Sequence, residues 1–116
     1  MAEQTLAERH CSPVASGTPA VDRARASALL GQLHPDWALT GDATAISRDY
    51  RFGNFHETMA FVNALAWIAH REDHHPDLEV GYRHCRVHYS THSVGGLSEN
   101  DFICAAWIDA LLPAAS

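Results

Sequence analysis

The spacing of apolar positions changes repeatedly along the chain, and each change predicts an element. From Pro19 the pattern is helical: Val21, Ala24, Ala28, Leu29 and Leu33 fall on one face, and Pro35 stops the run. Trp37-Ala38-Leu39 reads as a short strand and Thr40-Gly41-Asp42-Ala43 as a turn. Over residues 45–52, Ile46, Tyr50 and Phe52 alternate onto one side, which Arg48 interrupts. Asn54 with Glu57 three residues later predicts a helix start, the Asn oxygen accepting an unpaired N–H of the first turn. Phe55, Met59, Val62, Leu65, Ala66 and Ala69 then recur at helical spacing, and the helix is expected to run to His74, because Pro76 disfavours helical geometry at His75. Leu78, Val80 and Tyr82 alternate with Glu79 and Gly81. Beyond Arg83-His84, Cys85, Val87, Tyr89 and Thr91 alternate with polar residues, so the two runs predict a hairpin. Gly95-Gly96 breaks the chain. Ser98, with Asp101 three residues on, opens a last helix bearing Phe102, Ala105, Ala106, Ile108 and Leu112.

The order is α-β-β-α-β-β-α, an α+β class. Four strands in two hairpins, each with one apolar face, are most economically satisfied by a four-stranded antiparallel sheet covered on one face by the helices. The other face and the sheet edges then need cover, which predicts self-association. Residues 1–18 show no sustained period and are expected to form a loosely ordered arm ahead of a single domain spanning 19–116. No solenoid-type repeat is present, although the two ββ units look loosely duplicated.

Composition narrows the chemistry. A chain of 116 residues, 47% hydrophobic and 19% charged, is one folded domain. It has no Lys, which excludes a lysine Schiff base and a Walker-type phosphate lysine. Eight Arg against fourteen Asp and Glu leave a net charge of −6, arguing against nucleic-acid or anionic-membrane binding. No apolar run reaches the ~18 residues of a membrane span, and the N-terminus lacks the basic start and apolar core of a signal peptide. Cys11, Cys85 and Cys104 form no CxxC pair and are expected as free thiols in a reducing cytoplasm.

The nine histidines are the unusual feature. His74 and His75 stand at the expected end of the second long helix, and His92 where the last strand runs out. Imidazole exchanges protons near neutrality, so histidines converging at element ends suit an acid and a base in one pocket. Each has a plainer reading as a surface or structural residue. His70 and His74 are one helical turn apart and could share a cation, but His70-Arg71-Glu72-Asp73-His74 fits neither HExxH nor HxxEH, so no metal is expected. Cys85 and Cys104 lack the spacing of a thiol protease. Asp101 has a plain role as the third residue of its helix, and Trp37, Trp67 and Trp107 read as core or interface.

His70-x3-His74-His75-Pro76, followed at set distances by Tyr82, His92 and Asp101, resembles the signature of the pterin-4a-carbinolamine dehydratases. Trp37 at a strand start, Arg48-Asp49-Tyr50-Arg51-Phe52-Gly53-Asn54-Phe55, and Thr91-His92-Ser93-Val94-Gly95-Gly96-Leu97-Ser98 are similar as well, over residues 20–112 or so. The resemblance implies an αββαββα fold with three helices on one sheet face, as a dimer or tetramer. It implies a hydro-lyase that converts 4a-hydroxytetrahydropterin to quinonoid dihydropterin, recycling the tetrahydrobiopterin-type product of aromatic amino-acid hydroxylases. No cofactor is needed, because the pterin is the substrate. The functional histidines carry over onto His74, His75 and His92, with Asp101, His70 and Thr91 in support. Many members have Glu where this chain has His70. A second role is implied too, since members of the family serve as dimerisation cofactors for transcription factors or as RuBisCO assembly factors in carboxysomes.

Overall fold

The structure is a computed structural model, described here over residues 4–112. After a 3₁₀ turn at Leu6–Glu8, the elements follow as α1 (Arg23–Leu30), β1 (Ala38–Thr40), β2 (Ala45–Arg51), α2 (Phe55–Glu72), β3 (Asp77–Val80), β4 (His84–Tyr89), a 3₁₀ turn at His92–Val94, and α3 (Glu99–Asp109). The strands form one antiparallel sheet in the order β1-β2-β4-β3, so the two expected hairpins meet through β2 and β4. Ile46 pairs with Tyr89, Tyr50 with Cys85 and Leu78 with Val87, which puts the strands' apolar positions on the helix-covered side. Ile46, Tyr50, Cys85, Val87 and Tyr89 are buried there with Leu29, Phe61, Leu65, Phe102, Ile103 and Ile108.

Four expectations need correcting. In α1 the buried residues are Ala26 and Leu29, continued by Leu33, while Ala24 and Ala28 face solvent. In α2 the buried face is Thr58, Phe61, Leu65, Ile68, Ala69 and Glu72, whereas Phe55 and Ala66 are exposed and Met59 and Val62 half-buried. That helix is apolar over an arc wider than the core can cover, so periodicity could not choose the buried side. It also stops at Glu72, two residues early. Asp73 adopts the left-handed conformation (φ 53°), its N–H donating to the His70 carbonyl (3.3 Å) and the His74 N–H to the Ala69 carbonyl (3.1 Å). These paired bonds end the helix ahead of Pro76. Lastly, the sheet's open face presents Ser47, Asp49, Arg51, His84, Arg86, His88, Asp77 and Glu79. His88 Nε2 and Glu79 Oε2 meet at 2.6 Å and Arg51 pairs with Asp49 at 2.8 Å. A polar face needs no apolar cover, and that reason for self-association falls away.

Arg48, the charged residue on the apolar side of β2, points into the helix layer and pairs with Asp109 of α3 at 2.7 Å. Of the arm, residues 9–12 are bonded to α2 and α3, and Leu6 is buried in the core. These anchors are long-range, which is why local periodicity carries no sign of them. Residues 1–3 and 113–116 of the expected arm and domain lie outside the described residues. Among the described residues no helix is long and apolar enough to cross a membrane, and all three cysteines are free thiols.

Candidate active site

The site forms where the C-terminal end of α2, the loop after β4 and the first turn of α3 meet. Ser98 caps α3: its backbone N–H donates to Asp101 Oδ2 (2.9 Å), the reciprocal bond of a capping box. Thr91, two residues beyond β4, donates its hydroxyl to the same oxygen at 2.8 Å, and its Oγ1 lies 2.7 Å from Ser98 Oγ. The second oxygen, Oδ1, is 2.6 Å from His74 Nε2. One fully buried carboxylate therefore closes a helix end, holds the loop after β4 and orients an imidazole.

The left-handed turn at Asp73 swings His74 off the α2 axis toward Asp101. Its ring lies against Tyr89, with centroids 5.2 Å apart. Its carbonyl accepts the Tyr89 hydroxyl (3.2 Å) and a weak contact from the Cys104 thiol (3.9 Å). Ring and backbone are thus both fixed. Burial disfavours charging the imidazole, but the hydrogen bond to Asp101 and that residue's negative charge outweigh it, and the pKa of His74 lies above its ordinary 6.5. With Nε2 engaged by Asp101, Nδ1 is the nitrogen left to meet a ligand. A side chain shifted toward its protonated form, with one ring nitrogen left free, can donate a proton to a bound ligand.

Two hollows flank His74. One, of about 480 Å³, is bordered by His74, Thr91, Ser93, Asn100 and the arm at residues 11–14. The other, of about 380 Å³, is bordered by His70, His74, His75, Pro76 and Leu78. The structure therefore bonds three of the sequence candidates, His74, Thr91 and Asp101, directly to one another. His75 is exposed and shares a hollow with His74. His92 is exposed and begins the 3₁₀ turn beside Thr91; a backbone bridge between Thr91 and Gly96 closes the base of that loop, and Gly95 (φ 66°) takes the left-handed position that lets it return. His70 does not share a helix face with His74, since the helix has ended between them. Its ring is near exposed Trp67 instead, with centroids 6.4 Å apart. No cluster of three metal-ligating side chains exists among the described residues.

The sequence reading missed Tyr89 and Glu72. Tyr89 reads as an ordinary core position, and nothing in the sequence marks it. Glu72 could have been noticed: it falls at helical spacing from Leu65, Ile68 and Ala69, a carboxylate on what proves to be the buried face.

Comparison with known proteins shows the family of the chain. The family described as Pterin 4 alpha carbinolamine dehydratase matches residues 19–111. A protein of Nitrosomonas eutropha named as a pterin-4-alpha-carbinolamine dehydratase is 55% identical over 107 residues, covering 92% of this chain and 93% of that one. A Legionella pneumophila protein of the same name is 53% identical, over 92% and 95% of the two chains. The crystal structure of a transcriptional coactivator/pterin dehydratase from Brucella melitensis superposes with a TM-score of 0.75 at 27% identity, over 79% of this chain and 97% of that one. A pterin dehydratase-like protein identified as a RuBisCO assembly factor in the alpha-carboxysome superposes with a TM-score of 0.59 at 25% identity, over 67% and 90%. With the histidine doublet, the bonded Asp101 and Thr91, and the sheet topology all in place, the chain belongs to the pterin-4a-carbinolamine dehydratase family.

Proposed function

We propose that the protein dehydrates 4a-hydroxytetrahydropterin to quinonoid dihydropterin. The observation that carries this is the His74–Asp101 pair: an oriented imidazole of raised pKa at the border of two hollows. In the reaction the C4a–O bond breaks and water leaves, while a ring nitrogen gives up a proton. His74 donates a proton to the departing hydroxyl. His92 is its partner at C4a, and His75 orients the pterin and takes up the ring proton. Asp101 favours the charged form of His74 and aims its ring, Thr91 holds Asp101, and His70 borders the His75 side of the site. The chemistry asks only for proton transfer and positioning, worth on the order of 10²–10⁴-fold per positioned group.

The test is the appearance of quinonoid dihydropterin absorbance from freshly generated carbinolamine, with and without chelator. Acceleration that chelator leaves unchanged is expected. Chelator-sensitive turnover would overturn the metal-free mechanism, and no acceleration would overturn the enzyme. His74→Ala and His92→Ala should each lower the rate on the order of 10²-fold, whereas His10→Ala and His34→Ala should not.

The protein works as a dimer or tetramer in this reading. Support comes from α2, where Trp67 is 66% exposed and Phe55 is exposed as well, and from β3, an edge strand with Val80 exposed. The same apolar surface favours a second reading, a protein-binding role toward a RuBisCO-type or hydroxylase partner, if turnover is absent. Light scattering should give two or four chains; a monomer would remove both.

A further inference from the structure

We propose that residues 11–14 of the arm form a wall of the pterin pocket, and that Glu72 and Asn100 are the positioning residues that seat it. The proposal rests on the dehydratase reading above.

Ser12, Pro13 and Val14 border the same hollow as His74, Thr91 and Ser93. The segment has no secondary structure of its own, so helix side chains must hold it. Glu72 does most. Its side chain is almost wholly buried; one oxygen accepts the Cys11 N–H at 2.7 Å, and the other lies 2.7 Å from His10 Nδ1 and 2.9 Å from Arg71 Nε. Burial works against the charge, but the hydrogen bonds from Cys11, His10 and Arg71 prevail and hold the carboxyl down to about 2. Asn100 engages both backbone groups of Ser12: its amide oxygen accepts the Ser12 N–H at 3.1 Å, and its NH₂ donates to the Ser12 carbonyl at 2.7 Å. The Trp107 indole donates to the Arg9 carbonyl at 2.7 Å, and its ring lies against His10, with centroids 5.5 Å apart, and 4.5 Å from the Arg71 guanidinium. Cys11 Sγ rests 3.4 Å from Cys104 Sγ.

The coupling to the site is short. Glu72 precedes His74 by two residues, and Asn100 precedes Asp101 by one. A carboxylate on an apolar helix face is costly unless its bonds are made, and the arm makes two of the three, so an open arm would leave Glu72 poorly compensated. The wall brings Pro13 and Val14 to a hollow otherwise edged by polar groups, a place for one side of a flat heterocycle. Ser12, Pro13 and Val14 carry no side chain that acts as an acid or base near neutrality, and the Cys11 thiol is turned to Cys104. The wall's contribution is therefore to binding rather than to the chemical step.

The experiment separates these. Asn100→Ala and Glu72→Leu, the second keeping helix and burial, should each raise KM for the carbinolamine about tenfold while kcat stays within roughly twofold. Circular dichroism should show both folded. Diamide then offers a rescue: the Cys11 and Cys104 thiols give up two protons and two electrons to form an S–S bond, and the diazene is reduced to the hydrazine. The cross-link ties the arm to α3 without Asn100, so oxidised Asn100→Ala should regain the wild-type KM and lose it again with dithiothreitol. A KM unchanged in both variants, with wild type active, would overturn the wall and leave the dehydratase reading intact. A raised KM that the cross-link does not restore would mean that Asn100 acts by itself, and failure of the thiols to couple would mean that the arm does not rest on α3; each overturns the proposal. A wild type that neither turns over nor quenches dihydrobiopterin fluorescence removes the dehydratase reading, and the wall with it.

Discussion

Of the three carboxylates on helix α3, Asp101 and Asp109 lie about two turns apart, and each gathers donors from other elements of the fold. Asp109 receives Arg48 Nη1 (2.7 Å), Trp37 Nε1 (2.9 Å), the Tyr50 hydroxyl and the backbone N–H of His34 (3.2 Å). None of those donors exchanges a proton near neutrality. Guanidinium, indole and amide do not titrate there, and burial followed by the Asp109 charge pushes the Tyr50 phenol upward. Asp101 receives an amide and a hydroxyl, but its third partner is His74, which does titrate and borders two hollows. The two carboxylates are chemically alike. Their donors make one a staple between β2 and α3 and the other the fixed partner of a titratable imidazole.

The largest effect should come from breaking the staple. Asp109→Ala leaves Arg48 charged and enclosed, its side chain only 12% exposed and its Nε without a partner among the described residues. Loss of one partner of such a pair costs about 3–5 kcal/mol, readable as a lower urea midpoint. The pH–rate profile of the remaining folded enzyme should keep its shape. A profile that shifts would erase the distinction between the two sites.

Asp101→Asn should do the converse. Without the negative charge the support for the imidazolium is gone, and the rate should drop on the order of 10²-fold. The high-pH limb of the rate profile should move down as well, because His74 then loses its proton earlier. If Asp101→Asn lowers stability yet leaves that limb in place, Asp101 is only a helix cap.

A smaller effect is expected on stability itself. Because the native pKa of His74 is raised, the stabilisation from its pairing is complete below the ordinary value of 6.5 and disappears as pH rises through the native value. Unfolding midpoints followed upward from that value should fall in the wild type and fall less in Asp101→Asn. Glu72 has the opposite sign: its contribution is present above 4.5 and is lost as pH drops toward about 2.

The smallest effect belongs to His70→Glu. His70 is exposed, and its residue spacing from His74 no longer corresponds to a shared helix face. A charge there is screened by solvent, so stability should change by less than about 0.5 kcal/mol, and the rate profile by less than in Asp101→Asn. A shift as large as that of Asp101→Asn would make His70 a direct partner of His74.

Sequence alone determined the element types and their order, because period, capping residues and turn residues are local properties of the chain. Asn54 and Ser98 start their helices where expected, and Leu78 and Val87 alternate into a hairpin. It also marked the histidines by their place at element ends. Tertiary structure decided which face of α2 is buried, because two apolar arcs compete and only packing against the sheet selects Phe61, Leu65 and Ile68. It decided that Asp101 does more than cap, since the His74 ring reaches it across 27 residues of chain. It also decided where the arm goes. Glu72 and Asn100 offer hydrogen bonds that no local pattern encodes, and their partners, Cys11 and Ser12, are 61 and 88 residues away. Periodicity records what a segment needs to bury, whereas a site depends on which distant groups are brought to satisfy it.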